Sequence, residues 1–111
     1  MKRDYKLYLN DIRESINDIE SYVGNISQEE FNKNKLLLDA VTRRLEIIGE
    51  ASRNIPRALK ENNKHEPWFD MSQFRDFIAH SYFEIGNLTI WKTIKDKIPI
   101  IKKAMLNINL V

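Results

Sequence analysis

Apolar residues recur at three- and four-residue steps through most of the chain, which is the period of helices with one buried face. The first such segment covers residues 4–23, and Gly24 directly after it predicts a left-handed helix cap. Ser27 and Glu30 then have the spacing of a capping box, which predicts a short second helix ending near Asn32. The apolar positions of the first segment are Tyr5, Tyr8, Leu9, Ile12, Ile16, Ile19 and Val23.

Residues 35–54 predict a central helix that is apolar on two sides, so we expect it to contact other helices through both. Gly49 lies inside this helix and costs about 1 kcal/mol relative to alanine, a cost that a close approach by another helix would offset. Pro56 is expected to end or kink the helix. The two apolar stripes are Leu38, Val41, Leu45 and Ile48, and Leu36, Ala40, Ile47 and Ala51.

A third long helix is predicted from about Met71 to about Tyr82. Asp70 and Gln73 have the spacing of a capping box at its start, and Gly86-Asn87 breaks the helical pattern after it. We expect Trp68 and Phe69, just before the helix, to anchor its start in the core. The segment 62–67 in front of them is predicted to be a loop, and His65 within it has no partner at a metal-ligand spacing.

The last predicted helix is expected to be capped by Asn87 and to continue through Pro99. Its apolar positions alternate in steps of three and four on both sides of the proline, so one kinked helix fits better than two unrelated ones. We expect these positions to belong to the core of the same chain: Trp91, Ile94, Ile98, Ile101, Met105 and Ile108. Together the segments predict an all-α fold, an antiparallel bundle of four or five helices.

Composition limits the class of protein. The chain has 111 residues, 42% hydrophobic and 31% charged, which suits one globular domain over 1–111. It contains no cysteine, so it has no disulfide and no thiolate metal site, as is usual in a reducing cytosol. No apolar run reaches the roughly 18 residues of a membrane span and no signal peptide is visible, so we expect a cytoplasmic protein without a membrane contact. The net charge of +2 does not by itself predict nucleic-acid binding.

The third long helix carries the candidate chemistry: Arg75, Asp76, His80 and Tyr82. Asp76 and His80 are four residues apart, so the carboxylate can accept a hydrogen bond from the imidazole and fix its tautomer. Arg75 and His80 are five apart, which places them about 140° apart around a straight helix. The two side chains can converge on one atom only if they are long enough to reach it, if the last turn of the helix unwinds, or if a second copy of the chain supplies one of them.

These residue types suit cleavage of an RNA phosphodiester without a metal or a cofactor. A histidine moves protons near neutral pH, an arginine fork stabilises negative charge on a phosphate, and a tyrosine stacks on a base. Surface electrostatics alone is the competing interpretation of an Arg with an Asp–His pair.

The spacing Arg75-x-x-x-x-His80-x-Tyr82 resembles the signature of the HEPN superfamily in its HepT-like toxin branch, and Glu46–Ala51 resembles a second stretch of that family. The resemblance implies a helical endoribonuclease toxin whose motif lines a homodimer cleft. It implies Arg75 and His80 as the catalytic pair, and a polar residue at Asp76. It also implies a minimal nucleotidyltransferase antitoxin that adenylylates Tyr82, which contacts the RNA. The alternative is a non-catalytic module that binds such a nucleotidyltransferase or a nucleotide.

Two features of the sequence each allow two interpretations. Glu50 either pairs with an arginine such as Arg75 or is solvated. Four basic residues follow at spacings of four, three and four, and would form a phosphate-binding stripe on a continuous helix. Because Pro56 interrupts that region, a solvated basic face is favoured for them: Arg53, Arg57, Lys60 and Lys64.

Overall fold

The computed structural model describes residues 3–81 and 86–108, without the side chains of Phe77, Ala79, His80 and Ser81. Within these ranges every regular element is helical and there is no strand, which confirms the predicted all-α class. The elements are α1 (Tyr5–Val23), α2 (Gln28–Asn32), α3 (Lys35–Arg53), α4 (Arg57–Asn62), α5 (Trp68–Ser81), α6 (Asn87–Lys92), a π-helical turn (Thr93–Lys97) and α7 (Ile98–Leu106).

Local signals set the connection from α1 to α3. Helix α1 ends at Gly24, whose φ of 52° is readily available only to glycine. Ser27 and Glu30 form the predicted capping box, in which the Ser27 hydroxyl accepts from the Glu30 amide and the Glu30 carboxylate accepts from the Ser27 amide, both at 3.1 Å. The first two predicted helices are therefore confirmed.

Helix α3 is the central element, because it packs against α1 on one side and against α5 on the other. Val41, Leu45 and Ile48 are completely buried between these neighbours. The predicted two-sided contact is confirmed, with one exception in the first turn, where Leu36 is 82% exposed.

The start of α5 differs from the prediction. The helix begins at Trp68 and not near Met71, and the Met71 amide donates to the Pro67 carbonyl at 3.0 Å. Asp70 thus lies inside the first turn, and the predicted capping box at this residue is wrong. The Trp68 indole is buried, and its nitrogen donates to the Asn63 carbonyl at 3.0 Å.

Phe69 was expected to be an anchor, but it is 73% exposed. Successive residues of a helix point about 100° apart, so once Trp68 faces the core its neighbour faces solvent.

The C-terminal helix is continuous but changes its winding before Pro99. Between α6 and α7 the Ile98 amide donates to the Thr93 carbonyl, the i→i+5 pattern of a π-turn. A wider turn makes room for the ring of Pro99, which has no amide hydrogen to continue the α-helical ladder. The predicted continuity of this helix through Pro99 is confirmed, as is its packing into the core of the same chain through Ile94, Ile98 and Ile101.

The predicted cap of this helix is wrong. Gly86 occupies the capping position, and Asn87 is the first helical residue. The side-chain nitrogen of Asn87, Nδ2, donates instead to the Asn32 backbone carbonyl at 3.1 Å, which ties the start of α6 to the end of α2.

The described helices include none that is both long enough and apolar enough to cross a bilayer.

Candidate active site

Helix α5 is fixed by one apolar face and carries charged residues beside α3. Met71, Phe74 and Ile78 recur at steps of three and four and are buried in the core. Arg75 and Asp76 follow directly after Phe74, and both pair with residues of α3.

At Gly49, α3 lies directly against the backbone of α5. A Cβ atom built at Gly49 would lie 2.6 Å from the backbone nitrogen of Arg75 and 2.9 Å from its Cβ atom. Both distances are shorter than van der Waals contact, so only glycine fits here. The predicted close approach at Gly49 is confirmed, and the helix it admits is the one that carries Arg75.

Two ion pairs flank this contact. Arg75 Nε lies 3.8 Å from Glu50 Oε2, which confirms the pairing of these residues that the sequence left open. Arg53 lies one turn further along α3, and its Nη2 atom is 2.6 Å from Asp76 Oδ1. The Arg75 side chain remains 44% exposed, so its guanidinium is held near Glu50 and is still accessible from solvent.

Sequence reasoning missed the partner of Asp76. We expected His80 to be this partner, yet the structure shows Arg53 paired with the Asp76 carboxylate. The side chain of His80 lies outside the described part of the chain, so the contact between Asp76 and His80 stays a prediction. A signal for the observed pair exists in the sequence. Glu50 and Arg53 are three residues apart on one face of α3, and their charges complement those of Arg75 and Asp76.

Helix α5 is α-helical through Ser81, so the backbone positions of Arg75 and His80 relative to the helix axis are fixed. The two residues are therefore about 140° apart around the axis and about 7.5 Å apart along it. Unwinding of the helix up to Ser81 is excluded as a way to bring them together. Tyr82 lies outside the described residues.

The four basic residues after Glu50 do not form one stripe. Helix α3 ends at Arg53 and α4 begins after Pro56, so the interruption expected at this proline is confirmed. Arg57 Nε lies 3.1 Å from Glu61 Oε1, on the exposed side of α4. Lys60 is partly buried; burial lowers the pKa of its ammonium, and the positive charge of Arg53 lowers it further.

The protein is an α-helical bundle that carries its candidate RNA-cleaving residues, Arg75 and His80, on the single helix α5. Comparison with known proteins gives the family. The model of the ribonuclease HepT-like family matches residues 12–108, and the chain belongs to this family. No solved structure was found to match the chain.

Several relatives are more than 40% identical to the chain over the aligned residues. It is 45% identical to the "Probable ribonuclease HepT" of Thermococcus cleftensis over 92% of this chain and 93% of that protein. It is 44% identical to a "Putative RNase" of Methanocaldococcus jannaschii over 94% of this chain and 95% of that protein. A third relative, the "Gamma-glutamylcyclotransferase and putative RNase" of the same organism, is 41% identical over 97% of this chain, which spans only 49% of that longer protein.

Proposed function

We propose that the chain is the toxin of a toxin–antitoxin pair and acts as a metal-independent endoribonuclease. The observation that carries the proposal is the placement of Arg75, which the Gly49 contact fixes against α3 while its side chain stays 44% exposed. Membership in the ribonuclease HepT-like family supports an RNA substrate.

In the proposed reaction, His80 takes the proton of a ribose 2′-hydroxyl, and the 2′-oxygen attacks the adjacent phosphorus. A new P–O2′ bond forms and the P–O5′ bond breaks, which leaves a cyclic phosphate and a 5′-oxygen that takes up a proton. Arg75 stabilises the added negative charge on the phosphorane oxygens. Asp76 supports the site by orienting His80. Because Arg53 contacts only Oδ1 of Asp76, the second carboxylate oxygen can accept the hydrogen bond from His80.

The test of the catalytic role is His80→Ala. We expect it to abolish RNA cleavage and growth arrest while the far-ultraviolet circular dichroism of the folded protein stays unchanged. His65→Ala is a matched control, because His65 lies in the exposed turn before α5. Equal cleavage by His80→Ala and by the wild type would refute the assignment. A wild-type protein that cleaves no RNA but forms a stable complex with a nucleotidyltransferase would support the non-catalytic alternative.

We further propose that the working site lies in a homodimer cleft. The support is the backbone of α5, in which Arg75 and His80 are separated by about 140° on a helix that stays regular between them. A second copy then supplies the residue that one helix cannot turn toward the phosphate.

Mixing two inactive variants tests the shared site. In a mixed dimer of Arg75→Ala and His80→Ala, one of the two shared sites keeps both intact residues. We therefore expect cleavage to reappear when the variants are co-refolded. Continued inactivity, with mixed dimers demonstrated by mass spectrometry, would contradict the shared site.

The proposed control of the toxin is adenylylation of Tyr82, the residue two positions after His80, by a minimal nucleotidyltransferase antitoxin. The phenolic oxygen attacks the α-phosphorus of ATP and pyrophosphate leaves. Incubation with that partner and ATP is expected to add AMP to Tyr82, seen by mass spectrometry, and to leave Tyr82→Phe unmodified. AMP found on another residue while Tyr82 is unmodified would refute this assignment.

A further inference from the structure

An open groove lies between the start of α1 and the C-terminal half of α3. Its volume is about 330 Å³, at the lower end of the roughly 300–1,000 Å³ that is usual for small-ligand sites. We call it the α1–α3 groove, and the polar residues that line it are Arg3, Tyr8, Asp11, Arg43, Glu50 and Asn54. A space of this size suits a small planar group.

The α1–α3 groove reaches the candidate active site through Glu50. This residue lines the groove, and its Oε2 atom lies 3.8 Å from Arg75 Nε. Arg75 itself is held against the residue before Glu50, since a Cβ atom built at Gly49 would lie 2.6 Å from the Arg75 nitrogen. A phosphate bound at Arg75 therefore brings the adjoining nucleotide to the edge of the groove.

The guanidinium of Arg3 is fixed at the wall of this groove. Its Nη1 donates to Asp11 Oδ2 at 2.6 Å and its Nη2 to Asp11 Oδ1 at 3.4 Å, so both terminal nitrogens contact one carboxylate. Its central carbon lies 4.6 Å from the centre of the Tyr8 ring, a cation–π contact. The Arg3 side chain nevertheless remains exposed to solvent, so a planar cation is positioned before any ligand arrives.

Charge distinguishes this groove from a phosphate site. Each of its charged side chains already has a partner of opposite charge: Arg3 with Asp11, Arg43 with Glu46, and Glu50 with Arg75. The groove therefore offers a phosphate little net attraction. The unpaired bases of single-stranded RNA, in contrast, stack on arginine planes and on aromatic rings, and they carry no charge. The lining thus favours a base.

We propose that the α1–α3 groove is a base-binding subsite, in which the Arg3 guanidinium stacks on an unpaired base next to the cleaved linkage. The inference rests on the proposed function, since it takes single-stranded RNA as the ligand. The competing explanation is that Arg3 only anchors the start of the chain on α1 through Asp11. Such an anchor accounts for the ion pair but gives Arg3 no part in RNA binding.

The test compares binding of a short 2′-O-methyl RNA, which cannot be cleaved, with binding of the same RNA made abasic at each position in turn. Stacking of one base on a protein side chain contributes roughly 5- to 150-fold in affinity. We expect one abasic position to weaken binding by the wild type at least about 5-fold. Arg3→Ala is expected to bind the complete RNA that much more weakly and to be insensitive to the missing base. Arg3→Lys keeps the charge but lacks the plane, so it should lose the same sensitivity.

Arg44→Ala is the matched control. Arg44 Nη1 lies 3.4 Å from Asp18 Oδ2, so this variant also removes an exposed ion pair of α1, but outside the α1–α3 groove. We expect it to keep the wild-type response to every abasic position.

Three results would overturn the subsite. The first is an Arg3→Ala variant that responds to each abasic position as the wild type does. The second is a wild-type protein that does not bind the oligonucleotide. The third is a dimer that Arg3→Ala weakens in analytical ultracentrifugation without any change in the response to missing bases, which would assign the groove to a second copy of the chain.

A parallel assay with unmodified RNA separates this inference from the nuclease proposal. Cleavage by the wild type, with no dependence of the abasic response on Arg3, would leave the nuclease and remove the subsite. An abasic response that depends on Arg3, with no cleavage by the wild type, would leave the subsite and remove the nuclease.

Discussion

Replacing Gly49 by alanine would place a methyl group where α3 and α5 touch. The new carbon would lie 2.6 Å from the Arg75 nitrogen and 3.2 Å from its Cα atom. Because these are backbone atoms of a helix, they cannot rotate away as a flexible side chain does. The helices must separate locally by on the order of 1 Å to restore normal contact distances.

Two opposing terms set the size of the effect. Overpacking a well-packed contact costs about 1–3 kcal/mol, and the helix propensity of alanine returns about 1 kcal/mol. Since the obstacle is backbone, we place the cost in the upper half of that range and expect a net destabilisation of about 1–2 kcal/mol. For a chain of this length that lowers the melting temperature by about 4–8 °C.

The same displacement moves Arg75 away from the position that α3 gives it. A misplacement of about 1 Å costs roughly 100-fold in rate when geometry controls catalysis. Thermal unfolding followed by circular dichroism measures the first effect, and RNA cleavage well below the melting temperature measures the second. Gly86→Ala is the control for stability, because a Cβ atom there meets nothing closer than 4.0 Å and we expect a change below about 1 kcal/mol.

A Gly49→Ala variant as stable and as active as the wild type would refute the packing argument. If stability falls but the cleavage rate per folded molecule does not, the contact holds the two helices together without positioning Arg75.

Two further predictions concern stability. Thr42 buries a hydroxyl with no hydrogen-bond partner among the described residues, so Thr42→Val is expected to stabilise the fold by about 1 kcal/mol in a denaturant titration. Thr93→Val, which removes the 2.9 Å bond from Thr93 to the Thr89 carbonyl, should not stabilise it. Lys60→Met is expected to raise the melting temperature at neutral pH, with an advantage that shrinks toward pH 10.5, the usual pKa of lysine. Between the lowered pKa of Lys60 in the folded state and 10.5, the unfolded state binds more protons than the folded state. Wild-type stability therefore rises with pH in this interval as the ammonium loses its charge. An advantage that is constant with pH would contradict the assigned cause.

Features encoded by neighbouring residues could be read from the sequence. The Ser27–Glu30 capping box and the stop at Gly24 depend on residues at most three apart, and both are found as predicted. The long buried stripes of α1 and α3 were likewise predictable, because helical period and burial are directly linked.

Contacts that the local sequence pattern does not reveal decided the rest. The spacing of Asp70 and Gln73 is the same in a cap as in the first turn of a helix, and Pro67 together with the Trp68–Asn63 hydrogen bond determines which one occurs. Asn87 bonds to Asn32, 55 residues away, and no local rule indicates that partner. In the candidate site, Gly49 signalled a close approach, but only the fold identifies Arg75 as the residue that approaches.

The ion pair between Arg75 and Glu50 gives the guanidinium an anionic neighbour before any substrate arrives. At 3.8 Å the contact is longer than a hydrogen bond, and the Glu50 side chain is 62% exposed, so it turns into water at small cost. A phosphate that binds at Arg75 therefore takes the place of a carboxylate instead of entering an uncompensated positive site. In the proposed reaction, the net attraction of the phosphate to Arg75 is the difference between two similar interactions, and such a modest difference would favour departure of the cleaved strand, and hence turnover, as well as capture.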